Sequence, residues 1–89
     1  MKPQRDDVVE AIRRQVIRIA AMLGTDASDL GADELIPASG YIDSAGLLEL
    51  IGWFESAYAL SIPPADLTVD NLGSAAQMAD YLLRRQGAA

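Results

Sequence analysis

The chain has 89 residues with 7 basic and 13 acidic side chains, so its formal net charge is −6. This length fits one small domain, and the negative charge repels phosphate backbones, which argues against a nucleic-acid partner. The sequence contains no cysteine and no histidine, which excludes disulfides, thiolate nucleophiles, imidazole bases and the common nitrogen or sulfur metal sites.

Half of the residues are apolar, yet charged residues or prolines interrupt every apolar stretch before the roughly 18 residues of a membrane span. Near the N-terminus, Asp6 and Asp7 stand where a secretory signal needs an apolar segment. We therefore expect a cytoplasmic protein without a membrane span.

A first helix is predicted over about residues 4–23. Apolar residues recur there at steps of three and four and define one face: Val8, Ile12, Val16, Ile19 and Leu23. Asp6 and Asp7 suit the positive end of the helix, and Gly24 follows where a left-handed C-cap is expected. Arginines fall mostly off this face, namely Arg5, Arg13, Arg14 and Arg18. A solvated surface is the favoured interpretation of these arginines, with a docking surface as the alternative.

A long loop is predicted over residues 24–43, because turn-forming residues are frequent there and no period is sustained. One short helical turn is expected around Ala32 to Leu35. Loops of this length are usually functional or held down by their own apolar residues. Leu30, Leu35 and Ile36 are the candidates for that packing.

A second helix is predicted over about residues 44–59, with Asp43 or Ser44 as its cap. Its inward stripe consists of Leu47, Leu50, Ile51, Phe54 and Tyr58. Ile62-Pro63-Pro64 then breaks the chain, so that residues 64–70 can form only a short helix or turn.

A last helix is predicted over about residues 74–86, because Ser74 and Gln77 match a capping box. Met78 and Leu82 are expected to face the core, and Gly87 to end the helix. No segment has the alternating period of a strand. The expected fold is therefore all-α, a single domain over residues 1–89 with a small bundle of three to four helices and a long loop between the first two.

The most informative segment is Gly40-Tyr41-Ile42-Asp43-Ser44-Ala45-Gly46, where a serine starts an amphipathic helix directly after the long loop. Further along come Leu48, Glu49-Leu50, Tyr58 and Ile62-Pro63. Together these residues resemble the attachment site of acyl and peptidyl carrier proteins over about residues 35–83. The seven-residue segment itself looks most like stand-alone D-alanyl and related aminoacyl carrier proteins.

The resemblance implies that Ser44 accepts 4'-phosphopantetheine from coenzyme A, and that the terminal thiol then holds an acyl or aminoacyl thioester. It implies three partners: a phosphopantetheinyl transferase, an adenylating acyl or aminoacyl ligase and a downstream acyl-accepting enzyme. The chain itself is then a non-catalytic carrier, expected to be a monomer. A helix N-terminus also favours a nearby anion by about 0.3 to 1 kcal/mol. Without the surrounding pattern, Ser44 would be interpreted as an ordinary helix cap.

The expected partner face is the side of the second helix that is turned away from the stripe. It carries Asp43, Ala45, Leu48, Glu49 and Gly52, with Ser56 beyond them. Gly46, Gly52 and Ser56 stand where many fatty-acid carriers have acids. Recognition is therefore expected to depend on shape and on Ala45 and Leu48, with limited charge from Asp43 and Glu49. The two glycines each cost a helix about 1 kcal/mol; close approach of a partner and simple tolerance are both open explanations.

Two other function classes are alternatives. An enzyme is disfavoured because a serine nucleophile needs a base, and the sequence has neither histidine nor a glycine-rich phosphate cradle. The acidic residues between Asp26 and Glu34 do not have the spacing of a calcium loop, so no metal site is expected. The second alternative is an unmodified helical docking module with a carrier-like fold.

Overall fold

The computed structural model describes residues 3–87, which form five α-helices, one 3-10 turn and no strand. The helices are α1 (Arg5–Met22), α2 (Ile36–Ser39), α3 (Ser44–Ala57), α4 (Val69–Leu72) and α5 (Ala75–Gly87). The 3-10 turn, Pro64–Asp66, and α4 occupy the region expected to be a short helix or turn. Helix α1 packs against both α3 and α5, and α4 packs against α5. The predicted all-α bundle is confirmed.

Helix α1 buries the face that the apolar period indicates. Val8, Ile12, Val16 and Ile19 are all buried, and Gly24 has the expected left-handed φ of +82°. The placement of Leu23 on this face was wrong, because the helix ends at Met22 and the Leu23 side chain is 49% exposed. The last apolar residue of the period therefore lies on the surface.

The long loop is packed down by two of the three expected residues. Leu30 and Ile36 are buried, whereas Leu35 is 42% exposed. The short helix forms at Ile36–Ser39, after the expected position at 32–35. Backbone hydrogen bonds explain this placement, since the Ile36 amide donates to the Gly73 carbonyl at 2.7 Å. A tertiary contact rather than a local pattern positions α2.

Arginine side chains also hold the elements together. The Arg13 guanidinium donates to the Leu30 carbonyl at 2.7 Å and to the Glu10 carboxylate at 2.9 Å, which fixes the loop against α1. Arg5 pairs with Asp80 of α5 at 2.7 Å. Arg5 and Arg13 are therefore structural links between elements, whereas Arg14 remains largely exposed.

Helix α3 begins at Ser44 and ends at Ala57. In its stripe, Leu50 and Phe54 are buried, whereas Leu47, Ile51 and Tyr58 are half-buried. Trp53 is half-buried and meets the edge of the Tyr58 ring, with 6.1 Å between ring centroids. Packing thus accounts for the tryptophan.

Helix α5 begins with half of the expected capping box. The Ser74 hydroxyl accepts from the Gln77 amide at 3.1 Å, but the Gln77 side chain donates to the Asp70 carbonyl instead of returning to Ser74. Met78 and Leu82 are buried as expected. The helix includes Gly87, one residue beyond the predicted end at about residue 86.

Tyr81 of α5 is buried and anchors the chain that leads to α4. Its hydroxyl donates to the Asp66 carboxylate at 2.8 Å and accepts from Arg85 at 2.6 Å. Arg85 also donates to the Ser61 carbonyl at 3.0 Å. This Tyr81 network links the α3–α4 connection to α5.

None of the helices in residues 3–87 is both long and apolar enough to cross a membrane.

Candidate functional site

The start of α3 exposes a serine hydroxyl that the helix does not use. Asp43 is the N-cap residue, and its carboxylate accepts from the Gly46 amide at 2.8 Å. Its carbonyl accepts from the Leu47 amide at 2.9 Å. Ser44 is the first residue of the helix and is exposed, and its hydroxyl has no hydrogen-bond partner in residues 3–87. Of the two candidate caps, the structure therefore uses Asp43 and leaves Ser44 free.

The backbone around Ser44 is suited to an anion. Two amides of the first turn, those of Ser44 and Ala45, have no acceptor among the described residues, as is usual at a helix N-terminus. With 14 residues, α3 has an aligned set of peptide dipoles whose positive end lies here. A phosphodiester on the Ser44 oxygen fits this set of free donors.

Gly46 allows the start of α3 to approach α1 closely. An added Cβ at Gly46 would lie 3.0 Å from the Ile42 Cβ and 3.1 Å from the Ile19 Cγ2. Tight packing against α1, rather than the approach of a partner or simple tolerance, therefore explains this glycine. At Gly52 an added Cβ would meet nothing within 4 Å, so that position is open to solvent.

The residues proposed for partner recognition all lie on the exposed side of α3: Asp43, Ala45, Leu48, Glu49 and Gly52. Leu48 is 71% exposed, which is unusual for a large apolar side chain. Glu49 forms an ion pair with Arg18 of α1, with 2.7 Å between the guanidinium nitrogen and the carboxylate oxygen. The sequence did not indicate this pairing, because it joins two helices that are far apart along the chain.

Two shallow grooves flank α3. The α1–α3 groove, of about 190 Å³, is lined by Ile19, Met22, Leu23, Asp43, Ala45, Gly46 and Glu49. The α3–α4 groove, of about 160 Å³, is lined chiefly by apolar side chains that include Leu47, Ile51, Leu67, Val69 and Leu72. Met22 and Leu23 were not predicted as surface residues; their position at the end of α1, before Gly24, was the available signal.

Residues 3–87 bring no three histidine, cysteine or acidic residues together in a way that could hold a metal ion.

Comparison with known proteins gives one family match. A family model described as the phosphopantetheine attachment site matches residues 16–82, about three quarters of the chain. The matched region includes all of α3 and the free serine at its start. No curated protein and no solved structure matches the chain.

Proposed function

The chain belongs to the phosphopantetheine attachment family of carrier proteins, and on that premise we propose that Ser44 holds the 4'-phosphopantetheine arm and presents an acyl or aminoacyl group to partner enzymes. The observation that carries this proposal is the exposed Ser44 hydroxyl, which makes no hydrogen bond to residues 3–87, at the first position of a long helix. A phosphodiester there gains from the free amides and the helix dipole by about 0.3 to 1 kcal/mol.

The other serines of the matched region are less suitable. Ser74 is buried and caps α5, and the Ser39 hydroxyl donates to the Ile36 carbonyl at 2.6 Å. Ser56 is exposed but lies in the last turn of α3, where the negative end of the dipole opposes an anion. Ser28 and Ser61 are exposed in connections, away from any helix start. Elimination therefore supports Ser44.

The proposed attachment transfers the phosphopantetheine group from the pyrophosphate of coenzyme A to the serine hydroxyl. The Ser44 oxygen forms a bond to the phosphorus that carries pantetheine in coenzyme A. The pyrophosphate bond breaks, and adenosine 3',5'-bisphosphate leaves. The hydroxyl proton passes to a base of the transferase, since this chain has no histidine to accept it. Once attached, the arm supplies the thiol that the sequence lacks.

The proposed role is non-catalytic, with three partners: a phosphopantetheinyl transferase, an adenylating acyl or aminoacyl ligase and an acyl-accepting enzyme. The seven-residue segment around Ser44 supports an aminoacyl cargo through its likeness to D-alanyl and aminoacyl carriers. The apolar α3–α4 groove supports a short apolar acyl cargo instead, because a charged amine gains nothing from an apolar lining. Loading of the modified protein by adenylating ligases of each class separates the two.

Mass spectrometry tests the attachment directly. The unmodified protein is incubated with coenzyme A and a broad-specificity phosphopantetheinyl transferase, and the intact mass is compared before and after. We expect one phosphopantetheine on the wild type and on Ser56→Ala, and none on Ser44→Ala. A wild type that remains unmodified with several transferases would leave the unmodified docking module as the better explanation.

A further inference from the structure

Ser44 lies inside a closed turn at the start of α3. The carboxylate of Asp43, the residue before it, accepts from the amide of Gly46, two residues after it, at 2.8 Å. The Asp43 carbonyl accepts from the Leu47 amide at 2.9 Å. The position from which the Ser44 hydroxyl extends is therefore set by the backbone of Asp43 and Gly46.

This turn has no room for a side chain at Gly46. An added Cβ would lie 3.0 Å from the Ile42 Cβ and 3.1 Å from the Ile19 Cγ2, both closer than ordinary van der Waals contact. A small shift of the Ile19 side chain can relieve the second contact, whereas the Ile42 Cβ is fixed by its own backbone. Ile42 is 5% exposed, so its packing resists a shift. A side chain at residue 46 therefore displaces the backbone on one side of Ser44 or the other.

The displacement arises within the molecule, because Gly46 is buried. A methyl group there points toward Ile42 and Ile19 and leaves the exposed side chains of α3 unchanged. A transferase then meets the same outer surface, with the serine oxygen moved by a few tenths of an ångström. Attack on phosphorus needs a defined position of the attacking oxygen, so that a small misplacement lowers the rate of the chemical step.

We propose that Gly46 is a positioning residue for the transfer, because its missing side chain lets the turn hold Ser44 where its hydroxyl meets the phosphorus of coenzyme A. The proposal rests on the proposed function of Ser44. It gives the glycine a part in the reaction through the backbone, without contact with coenzyme A.

The test is the kinetics of Gly46→Ala with coenzyme A, the transferase and the unmodified full-length protein. We expect kcat to fall about threefold to tenfold, with KM within about twofold of wild type. The matched control is Ile12→Val, which removes one carbon from a fully buried position of α1 and lowers stability without adding a contact beside Ser44. Its kcat should equal that of the wild type. An unchanged kcat for Gly46→Ala, or a rise in KM alone, would overturn the proposal.

A second variant, Gly46→Ala/Ala59→Gly, separates positioning from loss of stability. Ala59 has φ of +50°, so that glycine there stabilises the protein outside the Ser44 turn. Urea unfolding measures how much stability returns, and kcat should remain as low as in Gly46→Ala. Recovery of kcat together with stability would make Gly46 a structural residue only, and so would failure of the double variant to fold.

The same kinetics keep the two proposals apart. If the wild type is never modified, the assignment of Ser44 fails. If the wild type is modified and Gly46→Ala matches its kcat, only the positioning role of Gly46 is removed.

Discussion

Gly46 and Gly52 lie in the same helix, α3, but the space around them differs. Gly46 is buried where α3 meets α1, and its missing side chain leaves room for Ile42 and Ile19. Gly52 faces open space six positions later. From the sequence pattern, both glycines lower the stability of the helix equally, because the space around a Cβ depends on a helix elsewhere in the chain. Only the packing of α1 against α3 distinguishes the two positions.

Substitution of each glycine by alanine should therefore change stability in opposite directions. Gly46→Ala places a methyl group about 3 Å from two core atoms, and we expect the free energy of unfolding to fall by about 1 to 2 kcal/mol, overpacking outweighing the gain in helix propensity. Gly52→Ala should raise it by up to about 1 kcal/mol. Urea unfolding measures both values. A stabilised Gly46→Ala protein would show that Ile19 and Ile42 adjust without cost.

The cap at Asp43 gives a second prediction at this scale. Asp43→Ala removes the acceptor of the Gly46 amide, and the free energy of unfolding should fall by about 0.5 to 2 kcal/mol. Asp43→Asn keeps a side-chain oxygen at the same place and should remain within about 0.5 kcal/mol of wild type. Thermal unfolding followed by circular dichroism compares the two. A loss of similar size in both variants would assign the effect to charge rather than to capping.

Among the elements, the long helices could be predicted from the sequence and the connections only in part. Apolar periods define α1, α3 and α5, since each helix buries a face that repeats along its own segment. Helix α2 could not be located in this way, because the Ile36 amide finds its acceptor at Gly73, far along the chain. The same limit explains Leu23, which continues the period of α1 but follows the end of that helix.

The turn that follows α3 contains a strained residue. Ala59 has φ of +50°, in the left-handed region that disfavours side chains, and the next amide, that of Leu60, donates to the Glu55 carbonyl at 2.9 Å. Ala59→Gly should relieve this strain and raise the free energy of unfolding by about 1 kcal/mol. Urea unfolding provides the measurement, with Ala57→Gly in the last turn as the control that should instead destabilise by about 1 kcal/mol. Destabilisation by Ala59→Gly would contradict the strain argument.

At the scale of the whole molecule, the site is only partly a local feature. Ser44 and Asp43 were found from one short segment, because an acid and a serine at a helix start lie next to each other in sequence. The proximity of Met22, Leu23 and Arg18 to the residues around Ser44 was not found, because it exists only after α1 has packed against α3. A local motif thus indicates the proposed attachment residue, whereas the surroundings of that residue depend on tertiary structure.

Two tyrosine hydroxyls, one buried and one half-buried, connect the stability of the bundle to alkaline pH. Burial raises the pKa of Tyr81, its hydrogen bond to Asp66 adds to this effect, and the hydrogen bond from Arg85 opposes it. Burial also raises the pKa of Tyr58, with a smaller contribution from Asp7. The folded state retains these two protons to a higher pH than the unfolded chain does. The two hydroxyls therefore leave the free energy of unfolding unchanged below about pH 10, and they lower it as the pH rises through the folded pKa values.

Urea unfolding at a series of alkaline pH values tests this expectation. Tyr81→Phe should lose part of the dependence above about pH 10, because one of the two phenols no longer titrates. At neutral pH the variant should be less stable by about 1 kcal/mol, since Asp66 and Arg85 lose their shared hydroxyl. If wild type and variant show the same slope, the titration of Tyr81 does not contribute to unfolding.

The hydrogen bonds that join the long loop to the start of α5 have a consequence for amide exchange. The Ile36 amide donates to Gly73, and the Ala76 amide donates to Ala32 at 2.9 Å, so that the two segments hold each other in both directions. Neither amide can exchange with deuterium unless the loop and the start of α5 separate together. The Ile36 proton should therefore be retained as long as those of the central helices, and the loop that leads to Ser44 should open only together with the bundle.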